Sequence, residues 1–237
     1  MNLNIIYDDE SILIMDKPAG ITVNRSDTTT NQYTVQDFID EKHLVSKNAD
    51  RDSDFYKRSG IVHRIDKETS GILVAAKTKD AFENIQEQFK ERSVEKTYKA
   101  LVHGNIEGDS GKINVPVGRL PWNRKRFGVL AGGRPAETQY KVIDRFRTSG
   151  GLTLLELNPK TGRTHQIRVH LKYFNHPIFS DSLYAGRKTA REDRKILGRI
   201  FLHASKISFK HPKNGKNVNF ECFLPEELNS FLVSLRS

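Results

Sequence analysis

The chain has 237 residues, 36% hydrophobic and 29% charged, enough apolar material for a good core and too much for a disordered chain. Its net charge of +10 points to a polyanionic partner, most simply nucleic acid, against the plainer reading of a basic protein kept soluble by charge. Cys222 is the only cysteine, which excludes an internal disulfide and all-cysteine zinc sites; no apolar run approaches the ~20 residues of a membrane span and the N-terminus has no signal-peptide pattern, so a soluble protein of the reducing cytoplasm is expected.

Residues 3–7 and 11–15 are short apolar runs split by Asp8-Asp9-Glu10 and predict a strand hairpin. Lys17-Pro18-Ala19-Gly20 forces a turn. Thr34 followed by Asp37 opens a helix with Val35, Phe38 and Ile39 inward. Residues 46–59 carry little that could anchor them and read as a mobile loop. It leads into Gly60–Gly71, after which the apolar residues 72–76 read as a buried strand. Asp80 with Glu83 predicts the next helix start, with Phe82, Ile85 and Phe89 inward. Residues 95–104 alternate as a strand, with Tyr98 on the face of Lys96 and Ala100.

Residues 119–147 hold eight basic side chains, among them Arg124, Lys125 and Arg126, against Glu137 and Asp144 only. With Trp122 and Phe127 interleaved, they read as a long basic hairpin loop over about 120–135, then a strand at 137–145; phosphates and unstacked bases are what such a loop suits. A solvated hairpin with one core tryptophan is the alternative. A strand at 151–158 and a turn at 159–163 follow, then a helix opened by Thr164 with Ile167, His170, Leu171 and Phe174 on one face. Residues 187–199 are a second basic run, with six cations against Glu192 and Asp193. Strands near 206–210 and 217–223 and a last helix from Pro225 close the chain. With no internal repeat and no linker, the pattern predicts one α+β domain over 1–237 with a mainly antiparallel sheet.

Asp66 sits among His63, Arg64 and Lys67. Nearby positive charge keeps a carboxylate ionised, which suits a nucleophile or base, although a surface ion pair gives the same pattern. His165 and His170 stand five apart, roughly 140° around a helix, so they do not form a metal pair, and no metal site is expected. No hydrolase elbow, phosphate loop or dinucleotide glycine pattern occurs. A carboxylate-based glycosidase would need a second positioned carboxylate; Glu68 is the nearest. On residues alone, Tyr98 could be a core aromatic and Arg168 a surface arginine.

The stretch 61–77, IVHRIDKETSGILVAAK, resembles the catalytic motif of the RluA-type pseudouridine synthases. The likeness continues in order through Asp16-Lys-Pro-Ala-Gly20, Lys96–Gly104, Gly133-Arg-Pro-Ala136, Thr161–Leu171 (TGRTHQIRVHL), His176-Pro177 with Asp181 and Tyr184, and Leu202-His-Ala204. Ile65 and Ser180 are mild departures, where leucine and glycine are more usual. The resemblance implies a long mixed, mainly antiparallel central sheet flanked by helices around a basic cleft. It implies a stand-alone catalytic domain without the RNA-binding S4 module of many relatives. It also implies conversion of uridine to pseudouridine in tRNA, in large-subunit rRNA or in both, without a cofactor, by a monomer. Asp66 would be the nucleophile, Tyr98 the tyrosine that stacks on uracil and takes a proton late, and Arg168 the arginine that pairs with the aspartate. His63, Arg64, Arg124, Lys125, Arg126, Arg163 and His165 would contact RNA, with Arg64 filling the space a flipped base leaves. A non-catalytic RNA-binding factor on the same fold is the competing expectation.

Overall fold

The computed structural model describes residues 3–26, 32–45 and 50–236, the side chains of Arg124 and Lys125 excepted. It divides into two compact units, Met1–Lys96 with Ala204–Phe223, and Thr97–His203 with Leu224–Ser237.

In the first unit, β1 (Asn4–Asp8), β2 (Ile12–Lys17) and β3 (Ser70–Ala76) pair antiparallel, with Ile12 opposite Ala76 and Lys17 opposite Gly71. β10 (Leu202–Lys210) lies beside β3, and β11 (Asn217–Glu221) pairs antiparallel with β10. β3 is buried along its whole length, as its unbroken apolar run requires of a strand covered on both faces. α1 (Val35–Glu41) starts at the expected Thr34–Asp37 capping box, each side chain taking the other's backbone N–H. α3 (Lys79–Lys90) is capped two residues earlier than expected, at Thr78 rather than Asp80, because the Thr78 hydroxyl accepts from the Ala81 N–H. Phe82 and Ile85 face the core; Gln88, polar and buried, bonds both the N–H and the C=O of Lys210.

The loop expected at 46–59 is part helix. α2 (Asp54–Lys57) is capped by Ser53 and anchored by Phe55, which is buried edge-on to Phe82. Two adjacent aromatics, Phe55 and Tyr56, in an otherwise almost wholly polar fourteen-residue stretch leave no periodicity to read. Residues 46–49 lie outside the described residues.

The second unit carries β4 (Glu95–His103), β9 (Leu152–Pro159), β8 (Glu137–Phe146) and β5 (Ser110–Asn114), antiparallel in that order. Leu154, Leu155 and Leu157 of β9 pack with Leu101, Ile167, Leu171, Ile178 and Phe201 in the main core. α6 (Glu226–Ser234) adds Leu228 and Leu232 to it, with the Phe231 ring 4.9 Å from Phe179. The basic segment expected to be a loop is instead two strands, β6 (Val117–Leu120) and β7 (Asn123–Val129), paired antiparallel. α4 (Gln166–Tyr173) follows the turn after β9, and the second basic run forms α5 (Arg187–Ile196). The α+β class with a mainly antiparallel sheet holds.

Candidate active site

Asp66 is half-buried on an irregular loop between Ile61 and Ser70. The loop is fixed at both ends by glycines with no room for a side chain. At Gly60 (φ +74°) a Cβ would fall 2.0 Å from the Ala76 carbonyl oxygen, and at Gly71 (φ +111°) 2.2 Å from that of Ala204. Only glycine combines such a φ with such an approach. Between the glycines, Val62 N–H donates to Val74 O and Thr69 N–H donates to Asp66 O.

Two side chains brace the middle of the loop. The Val74 N–H of β3 donates to His63 Nε2 at 3.1 Å, and the His63 ring lies 5.1 Å from Phe89. Desolvation, and then the charge of Lys96, push the His63 pKa down to about 3. The cation expected beside Asp66 is thus a neutral ring at neutral pH, and its acceptor nitrogen is committed to the backbone of β3. The second brace is Lys17, fully buried, whose Nζ donates to the carbonyls of Pro18 (2.9 Å), Ile21 (2.9 Å) and Lys67 (3.2 Å). Gly20 N–H also donates to Lys67 O at 2.8 Å. The Lys-Pro-Ala-Gly turn therefore clamps the peptide next to Asp66, a role that its sequence as a turn did not reveal. The Lys67 ammonium itself goes to Gln32 Oε1, 2.9 Å away. Arg64 is exposed and makes no hydrogen bond or ion pair to the other described residues.

Tyr98 and Arg168 belong to the second unit. Tyr98 sits on β4 opposite Leu157, half-buried against the main core. Arg168 is buried on α4 and held bidentately by the fully buried Asp181, Nε to Oδ2 and Nη2 to Oδ1, both 2.8 Å. Asp181 Oδ1 also accepts the N–H groups of Leu183 and Tyr184. The Tyr184 ring lies under the guanidinium, 5.1 Å from Cζ. The expected surface or aspartate-facing arginine thus has a partner that sequence reading noted without a role.

The turn before α4 is stitched by Gln166, not by Thr164. Gln166 Oε1 accepts from Thr161 Oγ1 and Arg163 N–H, and its Nε2 donates to Glu137 O and Thr138 Oγ1. His165 is the N-cap residue and sits in the left-handed region at φ +56°, with Nδ1 2.9 Å from the Tyr184 hydroxyl. Arg163 Nε donates to Pro135 O. Arg126 is exposed on β7, and Trp122, 76% exposed, marks the hairpin turn. Among the described residues no three His, Cys, Asp or Glu side chains gather to hold a metal ion.

A family profile described as RNA pseudouridylate synthase matches residues 11–173, which takes in the Asp66 loop, Tyr98, the basic hairpin and Arg168. The chain belongs to the RNA pseudouridylate synthase family. It is 37% identical to the ribosomal large subunit pseudouridine synthase D of Neisseria meningitidis serogroup B, over all of this chain and 62% of that protein, so it spans about three fifths of that relative's length. It is 40% identical to an uncharacterized RNA pseudouridine synthase of Aquifex aeolicus, over 96% of this chain and 71% of that one. The solved structure of human RNA pseudouridylate synthase domain containing 1 is similar throughout: TM-score 0.71, 27% identity, all of this chain and 95% of that one. Within the synthase family profile lie both glycines that seat the Asp66 loop and the Lys17 clamp; Asp181 and Tyr184 lie past its end.

Proposed function

We propose that this chain is a cytoplasmic RNA pseudouridine synthase that isomerises uridine in structured RNA, with both units serving one catalytic domain over 1–237. The observation that carries the reading is the Asp66 loop: a half-exposed carboxylate on a segment seated by two obligatory glycines, a buried ammonium and a neutral histidine. A surface ion pair needs no such scaffold, whereas a reacting group gains from a fixed position. The relative named for the ribosomal large subunit favours rRNA as substrate, with tRNA as the alternative.

The reaction consumes no oxidant, reductant or co-substrate, since its product is an isomer of its substrate, and no cofactor is proposed. The bond from ribose C1′ to uracil N1 breaks, C1′ bonds to C5, C5 loses its proton and N1 gains one. Asp66 acts as the nucleophile, at ribose C1′ or at uracil C6. Tyr98 stacks on the base and accepts the C5 proton late. Arg168 partners the aspartate; its guanidinium remains charged at any working pH.

The target base leaves its stack at a cost of roughly a few kcal/mol. Arg64, exposed two residues from Asp66, takes the vacated space. Residues 117–129 contain Arg119, Arg124, Lys125 and Arg126 and no acidic residue, so the β6–β7 hairpin suits a phosphate backbone, with Trp122 free to stack on an unpaired base. Arg163, His165 and His63 complete the proposed RNA-contacting set. The test is to incubate uridine-labelled tRNA and rRNA transcripts with the protein and with Asp66→Asn and to measure pseudouridine. Product with the first and none with the second is expected; tight binding without product on any RNA would favour a binding factor.

A further inference from the structure

We propose that Tyr184 is a positioning residue that ties the Arg168 guanidinium to the backbone of the basic hairpin. The proposal rests on the reading of Arg168 as the partner of the nucleophile. It starts from an economy in the structure. Tyr184 is 7% exposed and belongs to a small apolar cluster with Val117, Ala136 and Val169, apart from the main core. Phenylalanine would fill that space equally well. The hydroxyl is therefore there for its bonds.

Those bonds lead in two directions. Phe127 N–H, on β7, donates to Tyr184 Oη at 3.0 Å, so the phenol is fastened to the hairpin's main chain. The hydroxyl also lies 2.9 Å from His165 Nδ1, a second hydrogen bond at the same oxygen. That bond helps to hold His165 in its left-handed conformation at the N-cap of α4, three residues before Arg168. The ring meanwhile lies under the guanidinium, with Arg168 Cζ 5.1 Å from its centre.

Asp181 joins the pieces. It holds Arg168 through two bonds and accepts the Tyr184 N–H through the same oxygen that takes Nη2. The arginine is thus gripped by a carboxylate and an aromatic face from one turn, and the Tyr184 hydroxyl fastens that turn to the hairpin's main chain beside the apolar contacts with Val117, Phe127 and Val129. On the hairpin, Arg119 Cζ lies over the Phe127 ring at 5.2 Å, so a cation available to phosphate sits on the residue whose N–H the tyrosine binds. RNA seated on the hairpin would steady the arginine through this strut.

The test is Tyr184→Phe, which keeps the ring and the apolar cluster and removes only the hydroxyl. Two readouts separate positioning from packing. The first is hydrogen exchange of the Arg168 Nε–H resonance in the free protein, expected to quicken by roughly fivefold to tenfold on loss of one buried hydrogen bond. The second is the single-turnover rate on a saturating uridine-labelled large-subunit rRNA transcript, expected to fall by about the same factor while Kd for the transcript stays within twofold. An unchanged Arg168 Nε–H exchange rate, with any loss confined to Tm, would overturn the proposal. If wild-type protein formed no pseudouridine on any transcript, the catalytic reading would fall, and the exchange comparison would still decide whether Tyr184 positions Arg168.

Discussion

The Asp66 loop and the Arg168 centre solve the same problem, holding a charged group still, by opposite means. Asp66 is half-exposed and its loop is held by shape: glycines against backbone, main-chain bonds, and the side chains of Lys17 and His63 reaching backbone atoms. Arg168 is buried and held by charge, with a bidentate carboxylate on one side and an aromatic face on the other. An exposed carboxylate keeps its solvation and needs only a rigid seat. A buried guanidinium has lost its water and must be compensated atom by atom. The first region should therefore fail when volume is added, and the second when charge is removed.

The sharpest test of that contrast separates chemistry from scaffold. Asp66→Asn changes no volume and should lower pseudouridine formation by at least ~10³-fold with an unchanged urea midpoint, as expected of a group acting in the transition state. Asp181→Ala should instead destabilise by about 3–5 kcal/mol, because the guanidinium stays buried without its counter-charge; urea unfolding measures it. Gly71→Ala adds one carbon where 2.2 Å is available to a backbone oxygen at φ +111°, and about 3 kcal/mol is expected from the same assay. If Gly71→Ala were neutral, the loop would not be held by shape.

Smaller effects reach the rim of each region. Trp122→Ala should weaken RNA binding by about 1–2 kcal/mol and leave the slope of log K against log salt unchanged, whereas Arg126→Ala should reduce that slope by about one. A pH dependence at His63 tests the scaffold of the first region. Its folded pKa of about 3 lies below the ordinary value of 6.5, so the unfolded chain binds a proton that the folded chain refuses between those values. The contribution is complete above about pH 6.5 and is lost as pH falls toward 3. His63→Gln should flatten that acid limb of a stability curve.

Where burial followed a regular period, the sequence was easily read. β2, β3, β9, α1, α3 and α4 announce themselves by apolar runs or by helical spacing, and the long His-Arg-Ile-Asp and Gly-Arg-Thr-His-Gln-Ile-Arg blocks disclosed Asp66 and Arg168 through family likeness. β6 and β7 did not, because a two-stranded hairpin with polar residues on both faces has no alternation to detect. α5 was hidden for a similar reason: only Ala190 and Asp193 are buried along it, so its pattern is polar nearly all round. In the site, the missing information was partner choice. Asp181 lies thirteen residues beyond Arg168, and nothing local says which carboxylate a buried arginine will take. Lys17 was harder still, since its acceptors are backbone carbonyls, which every residue has.

Gly71 abuts the main chain of Ala204, a residue that the ribosome adds more than half the chain later. During synthesis, the first glycine seat, against Ala76, is available almost at once, while the second has nothing to lean on until β10 has emerged. The Asp66 loop is thus made long before its second seat exists, and is finished only when that later strand arrives.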